Sequence, residues 1–211
     1  MERIQAILLD IEGTTTPIAF VHEVLFPYAR RHLRRYLEQQ GQGAIAGEFE
    51  ALMDHDSKST PLKEVQGRIW EDGYRRGELT GEVFADVPDA FARWRARGLA
   101  IAIFSSGSVL AQQLLFRHSS AGDLTRFLDA YFDTTTGAKT DSASYRRIAG
   151  SLHVPADAVL FVSDSVRELD AAREAGLETR IALRPDNPAQ PDGHHHDPVA
   201  DFNDLFTDPR D

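Results

Sequence analysis

Three short apolar runs, each ended by a polar cluster, constrain this chain more than any other feature. Ile4 to Leu9 (IQAILL) runs into Asp10. Leu99 to Phe104 (LAIAIF) runs into Ser105-Ser106-Gly107-Ser108. Ala158 to Val162 (AVLFV) runs into Ser163-Asp164-Ser165. Nearly continuous apolar runs of this length read as strands covered on both faces, which is the condition of a parallel sheet. A fourth, weaker run is Thr179 to Leu183 (TRIAL).

Helical patterns lie between the runs. PDAFARWRARG has Pro88 near a helix start and Gly98 at its stop, and VRELDAAREAG ends in the same way at Gly176. SASYRRIAGSL repeats Tyr145, Ile148, Ala149 and Leu152 at helical spacing. Strand and helix in alternation predict an α/β fold with a doubly wound, mostly parallel sheet. From about Pro17 to Ala85 the rhythm breaks. No convincing strand is present, and two amphipathic stretches, FVHEVLFPYARRHLRRYL and LKEVQGRIWEDGYRRGEL, predict helices, with Pro27 as a kink or break. Gly41 to Gly47 reads as a loop. The Pro-, Asp- and His-rich stretch from Arg184 to Pro198 reads as a surface loop before a short DFNDLF. The expected organisation is therefore a core of residues 1–16 and 86–211 with a helical insertion, 17–85.

Ligands of open α/β sheets bind at the carboxyl ends of the strands. That rule gathers Asp10, Glu12, Ser105, Ser106 and Asp164 into one crevice. Asp10 and Asp164 make an oxygen-rich site for a hard cation such as Mg²⁺, which keeps waters and phosphate oxygens beside one or two carboxylates. Lys139, in TGAKTDSAS, supplies a cation that can hold a phosphate oxygen, and Ser105 supplies a hydroxyl donor. Carboxylate, cation, hydroxyl, lysine and second carboxylate are the equipment for phosphoryl transfer through an aspartyl-phosphate.

Charge and composition agree with a small-molecule enzyme. The formal net charge of −10 opposes nucleic acid and anionic membranes as partners. There is no cysteine, so disulfide and thiol chemistry are excluded and a reducing cytoplasm is compatible. No apolar run reaches the roughly 20 residues of a membrane span, and no signal peptide is evident. A cytoplasmic enzyme is expected.

Asp-x-acid-Gly-Thr, then a strand ending in Ser, then Lys, then a strand ending in Asp, resembles the haloacid-dehalogenase-like hydrolases. The blocks LLDIEGTTTPIAFVHEVLFPYA, IWEDGYRRGEL, FSSGSVLAQQLLFRHS and YFDTTTGAKTDSASYRRIA resemble, within that superfamily, the enolase-phosphatase family of methionine salvage. The resemblance implies a Rossmann-type core with a helical cap. It makes Asp10 the nucleophile and a Mg²⁺ ligand, and Glu12 the general acid/base with its backbone carbonyl on the metal. It gives Ser105, Ser106 and Lys139 to the substrate's phosphate and neighbouring oxygens. Asp164 completes the site for one Mg²⁺ per subunit. The implied reaction enolises 2,3-diketo-5-methylthiopentyl-1-phosphate and then hydrolyses the enol phosphate to 1,2-dihydroxy-3-keto-5-methylthiopentene and phosphate, in a monomer. Glu12 stands where most superfamily phosphatases have Asp, and this family has Glu. The enolising proton could go to Glu12, Lys63 or Glu64. Glu168 and Asp170, behind Asp164, are left without a role.

Plainer readings stand beside these. An isolated LLD is a turn; Ser105–Ser108 could simply cap the helix after it, and Asp164 the helix near Val166. Trp70 and Tyr74 could grip a methylthio tail or fill the insertion's own core. His194-His195-His196 reads as a solvated loop. The rival functions are a Mg²⁺-dependent phosphatase acting on another small phosphate ester, and a phospho-accepting signalling module, which the long insertion opposes.

Overall fold

The computed structural model describes residues 4–55, 57, 59–191 and 193–206. Six parallel strands form one sheet in the order β3-β2-β1-β4-β5-β6. They are β1 (Ala6–Leu9), β2 (Ala100–Phe104), β3 (Ala130–Phe132), β4 (Val159–Ser163), β5 (Glu178–Ala182) and β6 (Asp197–Val199). The order runs outward from β1 in both directions, so the switch of winding falls between β1 and its neighbours. That places the ligand crevice at the carboxyl end of β1.

Every residue of β1 is buried. Successive side chains point to opposite faces: Ile7 and Leu9 enter one core and Ala6 and Leu8 the other. This double burial is why the strand reads as a solid apolar run. Helices α4 (Val87–Ala96) and α5 (Val109–Arg117) contribute Phe91, Trp94 and Phe116 to the first core. Helices α6 (Ser142–Leu152) and α7 (Val166–Glu174) contribute Tyr145, Ile148 and Leu169 to the second.

Between β1 and α4 the chain is helical, and no strand occurs there among the described residues. A π-helical turn, Phe20–Leu25, runs directly into α1 (Phe26–Gln39), followed by α2 (Ala46–Asp54) and α3 (Thr60–Arg75). Pro27 does not break the rod. It sits in the first turn of α1, where its missing N–H is not needed, and the irregularity lies in the π-turn before it. The expected loop at 41–47 ends early, because Ala46 already begins α2. Helix α1 packs on α3: the Trp70 indole donates to the Leu25 carbonyl at 2.8 Å, and its ring lies 6.3 Å from Phe26.

The histidine run is not a solvated loop throughout. His196 is buried beside β6. Its Nδ1 pairs with Thr179 Oγ1 at 2.8 Å and its Nε2 with Asp170 Oδ1 at 3.0 Å. Only His195 is exposed.

Candidate active site

Asp10 lies one residue beyond β1, and its N–H extends the β1–β4 pairing by donating to Val162 O at 3.0 Å. The chain then folds into a knot. The Ile11 carbonyl accepts the N–H groups of Thr14, Thr15 and Thr16 at 3.2, 3.0 and 2.9 Å, and Gly13 N–H donates to Thr16 O at 2.9 Å. All three threonines are fully buried, and Thr15 Oγ1 donates back to the Asp10 carbonyl at 3.1 Å. Gly13 has φ +66°, and a Cβ there would stand within 3.0 Å of Asp164 Oδ2 and Asn187 Oδ1. The glycine therefore serves both the left-handed backbone and the close approach of two oxygens.

The Asp10 carboxylate is 5% exposed as a residue and well supported. Its Oδ1 accepts from Lys139 Nζ at 2.6 Å and from Ile11 N–H at 2.7 Å. Its Oδ2 lies 3.3 Å from Ser163 Oγ. Lys139 also holds Glu168 Oε2 at 2.6 Å. Burial opposes the lysine's charge, but Asp10 and Glu168 more than offset it and raise its pKa. Burial pushes Glu168 up, and the Asp10 charge adds to this. Burial, then the same Asp10 charge, pushes Asp164 up to about 6. Glu168 thus has a place that its position in the sequence left open: one turn into α7, it shares the lysine with Asp10.

Ser105 is buried, one residue after β2. Its Oγ accepts from Gly107 N–H at 3.2 Å. The capping role falls to Ser108, whose Oγ accepts from Ala111 N–H at 3.3 Å. Asp164 does not cap α7; Ser165 holds that position without a side-chain cap bond. Glu12, Ser105 and Ser106 line a cavity of about 370 Å³ together with Ala111, Gln112 and Leu115 of α5 and, from the helical segment, Leu25, Phe26, Lys63, Trp70 and Tyr74; Asp10, Lys139 and Asp164 do not line it. His22, from the π-turn, also lines it, with Nε2 3.6 Å from Glu12 Oε2. Lys63 reaches across to Thr134 Oγ1 at 3.0 Å. Glu64 is exposed and does not line the cavity.

The donors present suit Mg²⁺. Among the described residues no group of three or more His, Cys, Asp and Glu converges as a cage. Two carboxylates beside backbone carbonyls match a cation that keeps water and phosphate oxygens. The Asp10 charge disfavours the charged form of Asp164 and the Lys139 charge favours it, so a cation at this point would favour the two carboxylates further.

A parallel sheet with its crevice at the β1 turn, an aspartate held by a buried lysine, and a second carboxylate opposite define a class of enzyme. Residues 4–176 match the family model of the haloacid dehalogenase-like hydrolases, and the chain belongs to that family. Within it the chain belongs with the enolase-phosphatases. It is 50% identical to Enolase-phosphatase E1 of Synechococcus elongatus, over 87% of this chain and 90% of that one. It is 44% identical to the protein of that name from Pseudomonas aeruginosa, over 97% and 99%. In three dimensions it matches the UTR4 protein of Saccharomyces cerevisiae with TM-score 0.85 and 35% identity, over 96% and 100% of the two chains.

Proposed function

We propose that this chain is a bifunctional enolase-phosphatase, an acireductone synthase. It enolises 2,3-diketo-5-methylthiopentyl-1-phosphate and then hydrolyses the enol phosphate through an aspartyl-phosphate on Asp10. The observation that carries this is that Glu12, Ser105 and Ser106 share one cavity with apolar side chains of the helical segment, while Asp10, two residues before Glu12, is paired with Lys139, which also holds Glu168. Relatives of near-equal length named Enolase-phosphatase E1 support the pairing of an enolase with a phosphatase step.

In this reading residues 17–85 are a cap that closes the cavity over the core, residues 1–16 and 86–211. Asp10, Asp164 and the Glu12 carbonyl would hold one Mg²⁺, which when bound offsets the negative charge of carboxylates and phosphate together. Lys139 and the Ile11 N–H hold Oδ1 of Asp10, so that Oδ2 is the oxygen that attacks the phosphorus. Ser105 and Ser106 donate to phosphate oxygens. Glu12 protonates the departing enol oxygen and then draws a proton from the water that attacks the acyl phosphate. Its side chain is 44% exposed, so it reaches both substrate and solvent. Glu12 and Lys63 are the groups placed to take the enolising proton. Leu25, Phe26, Trp70 and Tyr74 receive the thioether tail, and the chain acts as a monomer.

Acid-quenching the enzyme during turnover and mapping it by mass spectrometry tests the covalent route. A phosphoryl group on Asp10 is expected. Full turnover with no phosphoryl group on any carboxylate at the earliest quench times would contradict it.

A further inference from the structure

The loop after β5 touches the metal-binding turn at two successive carbonyls, and neither contact has a sequence motif behind it. Asn187 Nδ2 donates to Gly13 O at 2.8 Å, and Arg184 Nε donates to Thr14 O at 2.9 Å. Both carbonyls immediately follow Glu12. The two donors are themselves spaced by a turn, in which Asn187 N–H bonds Arg184 O at 3.3 Å.

Arg184 is held through Nε and Nη1, while its buried Nη2 has no hydrogen-bond partner. Its Nη1 pairs with buried Asp86 Oδ2 at 2.7 Å and donates to Ala200 O at 3.0 Å. The guanidinium lies 4.6 Å from the Phe84 ring and 4.2 Å from the Phe202 ring. Asp86 Oδ2 also accepts Phe202 N–H at 2.6 Å, and Phe84 N–H donates to Thr15 O at 3.0 Å. One arginine therefore ties the segment that leaves the core after β1, the segment that returns at Phe84–Asp86, and the C-terminal segment. Asn187 holds the remaining peptide. Its Oδ1 is buried, has no hydrogen-bond partner, and lies with Asp164 Oδ2 against the bare face of Gly13.

We infer that Arg184 and Asn187 are positioning residues for the cation site. They fix the Gly13–Thr14 and Thr14–Thr15 peptides, which follow the peptide that bears the Glu12 carbonyl and is tied by Gly13 N–H to Thr16 O, so that the turn holds the Glu12 carbonyl and the Asp10 carboxylate in one relative orientation. The inference rests on the functional reading above, since it concerns the same cation. A peptide free to rotate would lose the carbonyl donor in part of the population, and partners of this kind typically change metal affinity by about 10–100-fold.

Asn187 is the residue to test, because it is only half-buried and removing it leaves no charge unpaired. Mg²⁺ binding is measured by calorimetry on the metal-free full chain, with thermal melts alongside, for wild type, Asn187→Ala and Asn187→Leu. Both variants are expected to bind Mg²⁺ about tenfold or more weakly, with a near-unchanged melting midpoint and with kcat recovered at saturating Mg²⁺. Amide exchange of the peptide spanning Asp10 to Thr16 is expected to quicken in the metal-free variants. Wild-type Mg²⁺ affinity in both variants would overturn the inference, as would unchanged exchange of the turn. Wild-type protein that binds no Mg²⁺ would contradict the functional reading instead, while the exchange comparison still decides whether Asn187 holds the turn.

Discussion

At the scale of single residues, the centre of the molecule is one buried ammonium between a buried carboxylate, Asp10, and a half-buried one, Glu168. Lys139 is 8% exposed and reaches Asp10 and Glu168 at equal distance. A buried charge stripped of its partner costs about 3–5 kcal/mol, so this lysine serves the fold as well as the chemistry. Asp10→Asn keeps the shape and removes the nucleophile. Phosphate release is expected to fall by about 10⁴-fold or more, the order found when a covalent nucleophile is removed, with the fold intact by circular dichroism. Near-normal release from that variant would be incompatible with an aspartyl-phosphate. His196 provides a pH-dependent stability prediction. Burial lowers its pKa, against a raising effect from its Asp170 bond, so the folded state holds the ring neutral. The unfolded chain takes up a proton near pH 6.5. Stability is therefore full above that value and declines as pH falls towards the lowered folded value. Melting midpoints at pH 7.5 and 5.5 are expected to drop further for wild type than for His196→Asn, which cannot titrate.

At the scale of elements, the helical segment depends on one close crossing. Gly73 of α3 sits against the Tyr28 ring of α1; a Cβ at that point would meet Tyr28 Oη at 2.7 Å. Tyr28 has little room to give, being stacked on His32 at 4.3 Å and donating to Glu78 Oε2 at 2.6 Å. Alanine is the better helix former, yet Gly73→Ala is expected to destabilise by about 1–3 kcal/mol through overpacking. A denaturant titration showing a gain in stability would mean the tyrosine moves freely. The same scale shows what was legible in the sequence. Strands β1, β2 and β4 were, because burial on both faces leaves a solid apolar run, and β5 more weakly, since Glu178 is exposed and Arg180 half-buried. Strand β3 was not: it has three residues, all half-buried, next to Asp129 and Asp133. Strand β6 was hidden in a Pro- and His-rich stretch because an edge strand tolerates Pro198. The glycines at 41, 43 and 47 masked the start of α2. Of the candidate site, the positions of Asp10, Ser105 and Asp164, each one residue beyond a strand, and of Glu12 and Ser106 just after, could be read from strand ends alone. Glu168 could not, since its pairing depends on how α7 is turned. Asn187 could not either, since its side-chain amide bonds a backbone carbonyl 174 positions away.

At the scale of the whole molecule, the cavity is built jointly by the sheet's carboxyl edge and the helical segment, and the negative net charge leaves its floor in need of a cation. Mg²⁺ bound only by the folded state stabilises it by mass action, about 2.7 kcal/mol at a hundredfold excess over its dissociation constant. Differential scanning calorimetry is expected to show a higher midpoint with Mg²⁺ and reversal by chelator. Among the described residues no helix is long and apolar enough to cross a membrane, and the substrate is a small anion that must enter between the two walls. Turnover of 2,3-diketo-5-methylthiopentyl-1-phosphate, followed at once for enol absorbance and for released phosphate with and without Mg²⁺, tests the two-step reaction most directly. The expected result is an enol signal that rises before phosphate appears, with phosphate release requiring Mg²⁺. Phosphate released with no enol signal, or equally fast in chelator, would contradict it.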